Sequence, residues 1–194
     1  MNLRRLCVFC SSSESLPDPF RAETRALGTR MAAEGIGLVY GGGSVGLMGV
    51  LADAVLEAGG KVTGVIPGFL ATKELAHEGL TKRIVTRSMH ERKQEMSRLA
   101  DAFAILPGGF GTLEEFFEIL TWKQLGLHSR PIIVANTGGW FDPLREHCLR
   151  ACELGALTRR DLALFSIVNS APEVVDALLR RRAPPAAPGR LTRT

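Results

Sequence analysis

A chain of 194 residues, 45% of them apolar, is long enough for one domain with a sizeable core and too short to favour a second. Its net charge of +4 arises near the carboxyl terminus: five arginines follow the last acidic residue, Asp176, and without them the chain has 19 basic and 20 acidic residues. Nucleic-acid binding is therefore poorly supported, because it needs clustered Lys and Arg on a folded surface. No apolar stretch of signal or membrane-spanning length follows the amino terminus, so we expect a cytoplasmic protein that does not contact a membrane.

We expect one folded domain over residues 1–182 and a disordered tail over 183–194. The tail is rich in Pro and Ala with scattered Arg, a composition that favours a solvated segment over an interaction arm. The four cysteines, Cys7, Cys10, Cys148 and Cys152, superficially resemble a zinc site. On a strand, however, the spacing of Cys7 and Cys10 points them to opposite faces, so we expect small buried thiols and no metal.

Strand-like and helix-like segments alternate along the chain. The pattern predicts an α/β fold, a Rossmann-like doubly wound parallel sheet in a single domain with right-handed crossovers. The predicted strands are 3–11, 36–40, 61–66, 84–86, 101–106, 132–135 and 164–169. The predicted helices are 20–34, 47–58, 142–154, 172–182, one opened by Ser88 and one beginning near Thr112.

Two loops follow strands at the edge of the sheet where α/β proteins bind ligands. Ser11 opens a serine cluster that is either a set of hydrogen-bond donors or an ordinary polar turn. Gly42 and Gly43 lie in a glycine-rich loop before an apolar helix, where they allow either close approach of a ligand or simply a tight turn. The segment 67–80, which contains Glu74, is a lid near the site or a solvated surface loop.

The most informative turn lies in residues 105–115, where an apolar run stops at Pro107 and a helix follows. Gly108, Gly109 and Gly111 permit φ > 0 and expose backbone N–H groups beside the helix dipole, which predicts an anion site for phosphate. Two interpretations of Glu115 remain open. It forms a capping box with Thr112, or it is a catalytic carboxylate.

A conflict marks the helix opened by Ser88. Its apolar stripe runs through Met89 and Met96, but Arg92 and Lys93 occupy positions that should face inward. Either the two cations reach the edge of the core, or they meet an anion in a pocket, which we favour. A fixed cation beside a carboxylate suits a hydrolase that acts on a phosphorylated substrate.

Together these motifs resemble those of the LONELY GUY (LOG) family of cytokinin-activating phosphoribohydrolases, formerly labelled possible lysine decarboxylases. The resemblance rests on three motifs that follow one another along the chain, Gly41–Gly49, Ser88–Lys93 and Pro107–Glu115. Phe110 stands where many relatives have tyrosine. The resemblance implies that Arg92 and Glu115 are catalytic. It also implies a set of ligand-binding residues, which are Glu74, Lys93, Gly108, Gly109, Phe110, Gly111, Thr112, Leu113, Glu114 and Thr121.

The activity that the resemblance implies is hydrolysis of the N-glycosidic bond of an adenosine 5'-monophosphate, with or without an N6 substituent. The products are the free base and ribose 5-phosphate. The resemblance also implies a homodimer, and the chemistry needs neither a metal nor a cofactor. The alternative is a nucleotide-binding or carrier protein without turnover. Lysine decarboxylation is poorly supported, because no lysine lies in a convincing pyridoxal-phosphate motif.

Overall fold

The computed structural model describes residues 3–71 and 76–182. Seven parallel strands form one sheet in the order β4-β3-β2-β1-β5-β6-β7. The strands are Arg5–Phe9 (β1), Gly37–Tyr40 (β2), Val62–Pro67 (β3), Lys82–Thr86 (β4), Ala102–Ile105 (β5), Ile132–Ala135 (β6) and Ser166–Val168 (β7). The helices are Asp18–Ala33 (α1), Gly46–Glu57 (α2), Met89–Leu99 (α3), Phe110–Gln124 (α4), Asp142–Glu153 (α5), Arg159–Leu162 (α6) and Glu173–Arg182 (α7).

Helices cover both faces of the sheet. Side chains of α1, α2 and α7 pack with one face in one hydrophobic cluster, and those of α3, α4 and α5 pack with the other face in a second. This is why β5 and β6 are apolar at every position: both faces of each strand are buried. Cys7 and Cys10 lie in the two different clusters, on opposite sides of the sheet. The doubly wound single-domain prediction is confirmed.

The strand order reverses beside β1, which pairs with β2 on one side and with β5 on the other. The segments that follow β1 and β5 are joined by a hydrogen bond, in which the Ser11 amide donates to the Pro107 carbonyl at 3.1 Å. A crevice outside such a reversal is where open α/β sheets bind ligands. The serine cluster and the turn after Pro107 are therefore brought to one place by the topology.

Several boundaries differ from prediction. Helix α4 begins at Phe110, two residues before Thr112, and α6 was missed because one turn carries little periodicity. The predicted strand 164–169 is shortened to Ser166–Val168. No helix in the described ranges has the length and apolar character needed to cross a bilayer. Glu74 and the predicted tail 183–194 lie outside the described residues.

Candidate active site

A cavity of about 450 Å³ opens at the carboxyl edge of the sheet, between the ends of β1 and β2 and the start of α4. Its polar lining includes Arg92, Thr112 and Glu115. The rest comes from the serine cluster, the two glycine loops and an apolar wall: Cys10, Ser11, Ser12, Ser13, Gly41, Gly43, Val45, Met48, Ile66, Leu70, Gly109, Phe110 and Gly111.

The amino terminus of α4 faces this cavity with free backbone donors. Gly109 is the N-cap, no side chain caps the helix, and the first intrahelical bond runs from the Leu113 amide to the Gly109 carbonyl at 3.1 Å. The amides of Phe110, Gly111 and Thr112 precede that bond, and all three residues line the cavity. Aligned N–H groups at the positive end of a helix dipole form an anion site.

The glycines of this turn act differently from the prediction. None of Gly108, Gly109 and Gly111 has a positive φ, and Gly109 is extended at φ −89° and ψ −152°. At Gly108 the absent side chain is needed for packing, because an added Cβ would lie 2.7 Å from the Cβ of Thr112. At Gly109 and Gly111 an added Cβ would meet nothing within 4 Å, so these two leave the approach to the amides open.

The capping-box interpretation of Glu115 is wrong. Because α4 starts at Phe110, Thr112 lies inside the first turn and is not the N-cap. Glu115 lies beyond the first turn, where the backbone amides are already bonded within the helix. The Glu115 side chain is only 11% exposed. Burial raises its pKa to about 7, although nearby Arg92 acts in the opposite direction. A carboxyl group with this pKa exchanges a proton near neutral pH, which is what an acid–base group needs.

Arg92 reaches the cavity from α3 and is fixed by backbone carbonyls. Its Nε donates to the Val65 carbonyl at 3.1 Å and its Nη2 to the Gly41 carbonyl at 3.3 Å. Its Nη1 lies 3.6 Å from Oε1 of Glu115, an ion pair too long for a good hydrogen bond. An added Cβ at Gly41 would overlap Nη2, so a glycine here makes room for the guanidinium. Of the two positions considered from the sequence, the edge of the core and a pocket, Arg92 occupies the pocket.

Lys93 takes a different position from its neighbour. Its Nζ lies 3.1 Å from Oε1 of Glu118 and also bonds Glu114, both on α4, and it does not line the cavity. Burial by itself would lower the pKa of Lys93, but the bonds to Glu114 and Glu118 outweigh it and raise the pKa. Lys93 thus links α3 to α4 through two ion pairs.

Ser11 lines the cavity, but its polar groups are bonded within the protein. Its carbonyl accepts from the amides of Leu47 and Met48 at 2.9 and 3.3 Å, and its Oγ accepts from the Ser13 amide at 3.0 Å. The amino terminus of α2 is therefore occupied by a protein carbonyl, whereas that of α4 is open. Of the two helix amino termini, only that of α4 therefore has backbone donors that face the cavity without a protein acceptor.

Gly42 and Gly43 shape that first loop. Gly42 has φ +78°, so here a glycine is required by the backbone, and its carbonyl accepts from the His77 amide at 3.0 Å. Gly43 borders the cavity, while its carbonyl accepts from the Tyr40 hydroxyl at 3.1 Å. Both carbonyls are thus engaged within the protein.

Other predicted residues are spread along α4. Phe110 is 93% exposed at the cavity, whereas Leu113 packs against the hydrophobic cluster on its side of the sheet. Glu114 is exposed and bonds Lys93. Thr121 is exposed six residues beyond Glu115, about 9 Å further along the helix, and is not brought to the cavity.

The sequence reasoning missed Gly41 and the apolar wall formed by Val45, Met48, Ile66 and Leu70. Gly41 directly follows β2, so its place at the carboxyl edge of the sheet was a usable signal. The wall carried no such signal. Its four residues come from three separate segments, and each one alone reads as an ordinary core residue.

Comparison with known proteins gives a consistent result. The family model described as "Possible lysine decarboxylase" matches residues 48–178. The chain is 40% identical over 175 residues to cytokinin riboside 5'-monophosphate phosphoribohydrolase LOG2 of Arabidopsis thaliana, covering 90% of this chain and 82% of that one. It is 44% identical over 175 residues to probable cytokinin riboside 5'-monophosphate phosphoribohydrolase LOGL9 of Oryza sativa subsp. japonica, covering 90% and 77%.

Solved structures with a similar fold include the molybdenum cofactor carrier protein of Chlamydomonas reinhardtii, with a TM-score of 0.71 and 21% identity over 94% of this chain and 100% of that one. The molybdenum cofactor binding protein of Rippkaea orientalis has a TM-score of 0.71 and 20% identity over 94% and 99% of the two chains. At these identities the likeness concerns the fold alone.

Proposed function

The chain belongs to the possible lysine decarboxylase family, which includes the LOG phosphoribohydrolases, and we propose that it hydrolyses the N-glycosidic bond of adenosine 5'-monophosphates with or without an N6 substituent. The products are a free adenine-type base and ribose 5-phosphate. The observation that carries this proposal is a buried carboxyl group, Glu115, beside a fixed guanidinium, Arg92, in a cavity that also holds an open helix amino terminus.

In this proposal the open end of α4 binds the 5'-phosphate. The amides of Phe110, Gly111 and Thr112 donate to phosphate oxygens, and the Thr112 hydroxyl is a fourth donor beside them. The absence of side chains at Gly109 and Gly111 lets the phosphate approach the backbone. Phosphate binding then sets the ribose deeper in the cavity, next to Glu115.

Glu115 and Arg92 would act on the ribose. Cleavage breaks the bond between C1' and the base nitrogen through an oxocarbenium-like state, after which water adds its hydroxyl to C1' and the base leaves with a proton. An ionised Glu115 stabilises the developing positive charge or orients the water. Arg92 does not readily lose its proton, so it is a clamp for phosphate or transition-state charge and not the general acid.

The base would lie against the apolar wall defined above. Val45, Met48, Ile66 and Leu70 offer surface that suits an aromatic ring or an apolar N6 substituent. The residues named here need no metal or cofactor for this reaction. Turnover distinguishes the proposal from the alternative of a nucleotide carrier.

We also propose a homodimer formed next to the cavity. Large apolar side chains are exposed on several elements: Phe69, Val85, Met89, Phe110 and Phe117. Two of them lie next to the cavity: Met89 approaches Arg92, and Phe110 borders the cavity itself. An apolar surface of this kind marks an interaction site more often than free surface. The cytoplasmic location and the limits of the folded domain stay predictions.

The direct test incubates the purified protein with AMP and with N6-isopentenyl-AMP and separates the released bases by chromatography. We expect release of base together with an equal amount of ribose 5-phosphate from at least one of them. Tight nucleotide binding without release from either would select the carrier alternative.

A further inference from the structure

A second cavity, of about 640 Å³, lies at the opposite edge of the sheet, at the amino ends of β1 to β4. Strand β1 separates the two cavities: Arg5 begins it and Ser11 lies just beyond its end, about 20 Å away for an extended chain. No part of the reaction proposed above uses this second cavity.

Four cationic side chains line this cavity, and no acidic side chain does so. They are Arg4, Arg5, Lys61 and Lys82. Among the described residues none of the four has an ion-pair partner within 4.0 Å.

The nearby carboxylates are occupied. Asp101 accepts the backbone amides of Arg4 and Arg5 at 2.9 and 2.8 Å, and Glu95 accepts two bonds from Arg98 at 2.6 and 2.7 Å. Neither carboxylate is therefore paired with one of the four cationic side chains of this cavity. In addition, Nε of Arg5 is shielded from solvent and has no hydrogen-bond partner in the described part of the chain.

We propose that this cavity binds a polyphosphate chain of the kind carried by a nucleoside triphosphate. Arg5 offers the planar fork that pairs with phosphate oxygens, while Lys61 and Lys82 supply point charges at the rim. Several converging cations match several linked phosphates better than they match a monophosphate. The volume exceeds what one phosphate needs.

The test measures binding to the full-length protein by isothermal titration calorimetry. Inorganic tripolyphosphate and ATP are titrated with excess ribose 5-phosphate present to occupy the first cavity. We expect one site per chain for tripolyphosphate, with affinity that falls as salt is added. Tighter binding of ATP would identify a nucleotide as the ligand, and equal affinity would identify the polyphosphate chain alone. Either result supports the site.

A matched pair of variants locates the binding. Lys61 and Lys82 are exposed, so Lys61→Ala/Lys82→Ala should fold normally and weaken binding about tenfold or more. The control Arg150→Ala/Arg159→Ala removes the same charge from exposed positions on α5 and α6 and should change affinity less than twofold. No binding to the unaltered protein, equal loss in both variants, or complete competition by ribose 5-phosphate would each overturn the proposal. All of these readouts are independent of base release.

Discussion

The position of Glu115 is energetically unfavourable for its charged form, because the carboxyl group is buried. Burial outweighs the attraction of Arg92 because the two side chains are 3.6 Å apart and do not form a close hydrogen bond, so the pKa of Glu115 is raised to about 7. A site built only for stability would not keep a carboxylate here. We interpret the cost as the consequence of a catalytic role.

The raised pKa predicts how stability depends on pH. Folded Glu115 holds its proton up to about pH 7, whereas in the unfolded chain it releases it near 4.5, so its stabilising effect is complete below pH 4.5 and is lost as the pH rises through 7. The full loss is on the order of 3 kcal/mol. In urea unfolding, Glu115→Gln should therefore gain stability over the unaltered protein as the pH rises from 5 to 8. Exposed Glu153→Gln should show no such trend, and parallel curves for all three proteins would contradict the raised pKa.

At the scale of single residues, the sequence revealed Arg92 but not the position of Glu115 relative to the helix start. Arg92 was visible because a cation interrupted an apolar stripe on α3. The capping box at Thr112 and Glu115 was indistinguishable from a catalytic pair, since a shift of two residues in the start of α4 decides between them. The position of Gly41 after β2 could be predicted, but its packing against Arg92, 51 residues away, could not.

Among the elements, α3 and α4 matter most, because each carries one of the two proposed catalytic side chains. Lys93 joins them through Glu114 and Glu118. The resemblance implied that Lys93 binds the ligand. From its bonds to Glu114 and Glu118 we propose instead that it holds α3 against α4 and so positions Arg92 against Glu115. The two roles predict different outcomes when the ion pair between Lys93 and Glu118 is replaced by an apolar contact.

Lys93→Met should lower the free energy of unfolding by about 1–2 kcal/mol, because it leaves Glu118 largely buried without a cation. It should also reduce kcat/KM. In Lys93→Met/Glu118→Met an apolar pair replaces the ion pair, so both stability and kcat/KM should return toward those of the unaltered protein. Recovered stability with kcat/KM still low would instead show that Lys93 contacts the substrate.

The first turn of α4 offers a second prediction at this scale. Gly108→Ala would crowd Thr112, so we expect a loss of about 1–3 kcal/mol in unfolding free energy and weaker substrate binding. Gly111→Ala has free space and a helical position, and it should stabilise by about 0.5–1 kcal/mol. Thermal unfolding of the two variants checks this. Equal destabilisation by both would mean that glycine is needed throughout the turn.

For the whole molecule, alternating strands and helices were sufficient to predict the doubly wound sheet, because each apolar run could be buried only between helices. The order of the strands then placed the serine cluster and the turn after Pro107 side by side. The apolar wall could not be predicted, since it is assembled from distant segments. The cationic cavity was equally hidden, because its residues come from the amino ends of four different strands.

The exposed apolar side chains near the cavity predict a dimer that depends on them. Met89→Asp should place a charge in the contact and shift the protein toward monomer in sedimentation velocity. Leu154→Asp, at an exposed position after α5, is the matched control and should leave the sedimentation coefficient unchanged. A monomeric unaltered protein would contradict the proposed dimer without affecting the reaction.

The central claim is that Glu115 is catalytic and is not a capping residue. The most direct measurement is the rate of base release from the better of the two nucleotides at pH 8, for the unaltered protein, Glu115→Gln and Glu153→Gln. We expect Glu115→Gln to be more stable than the unaltered protein at this pH and yet to lose at least about a hundredfold in kcat/KM, the size of one acid–base contribution. Glu153→Gln should keep full activity. Turnover by Glu115→Gln at the rate of the unaltered protein would contradict the claim.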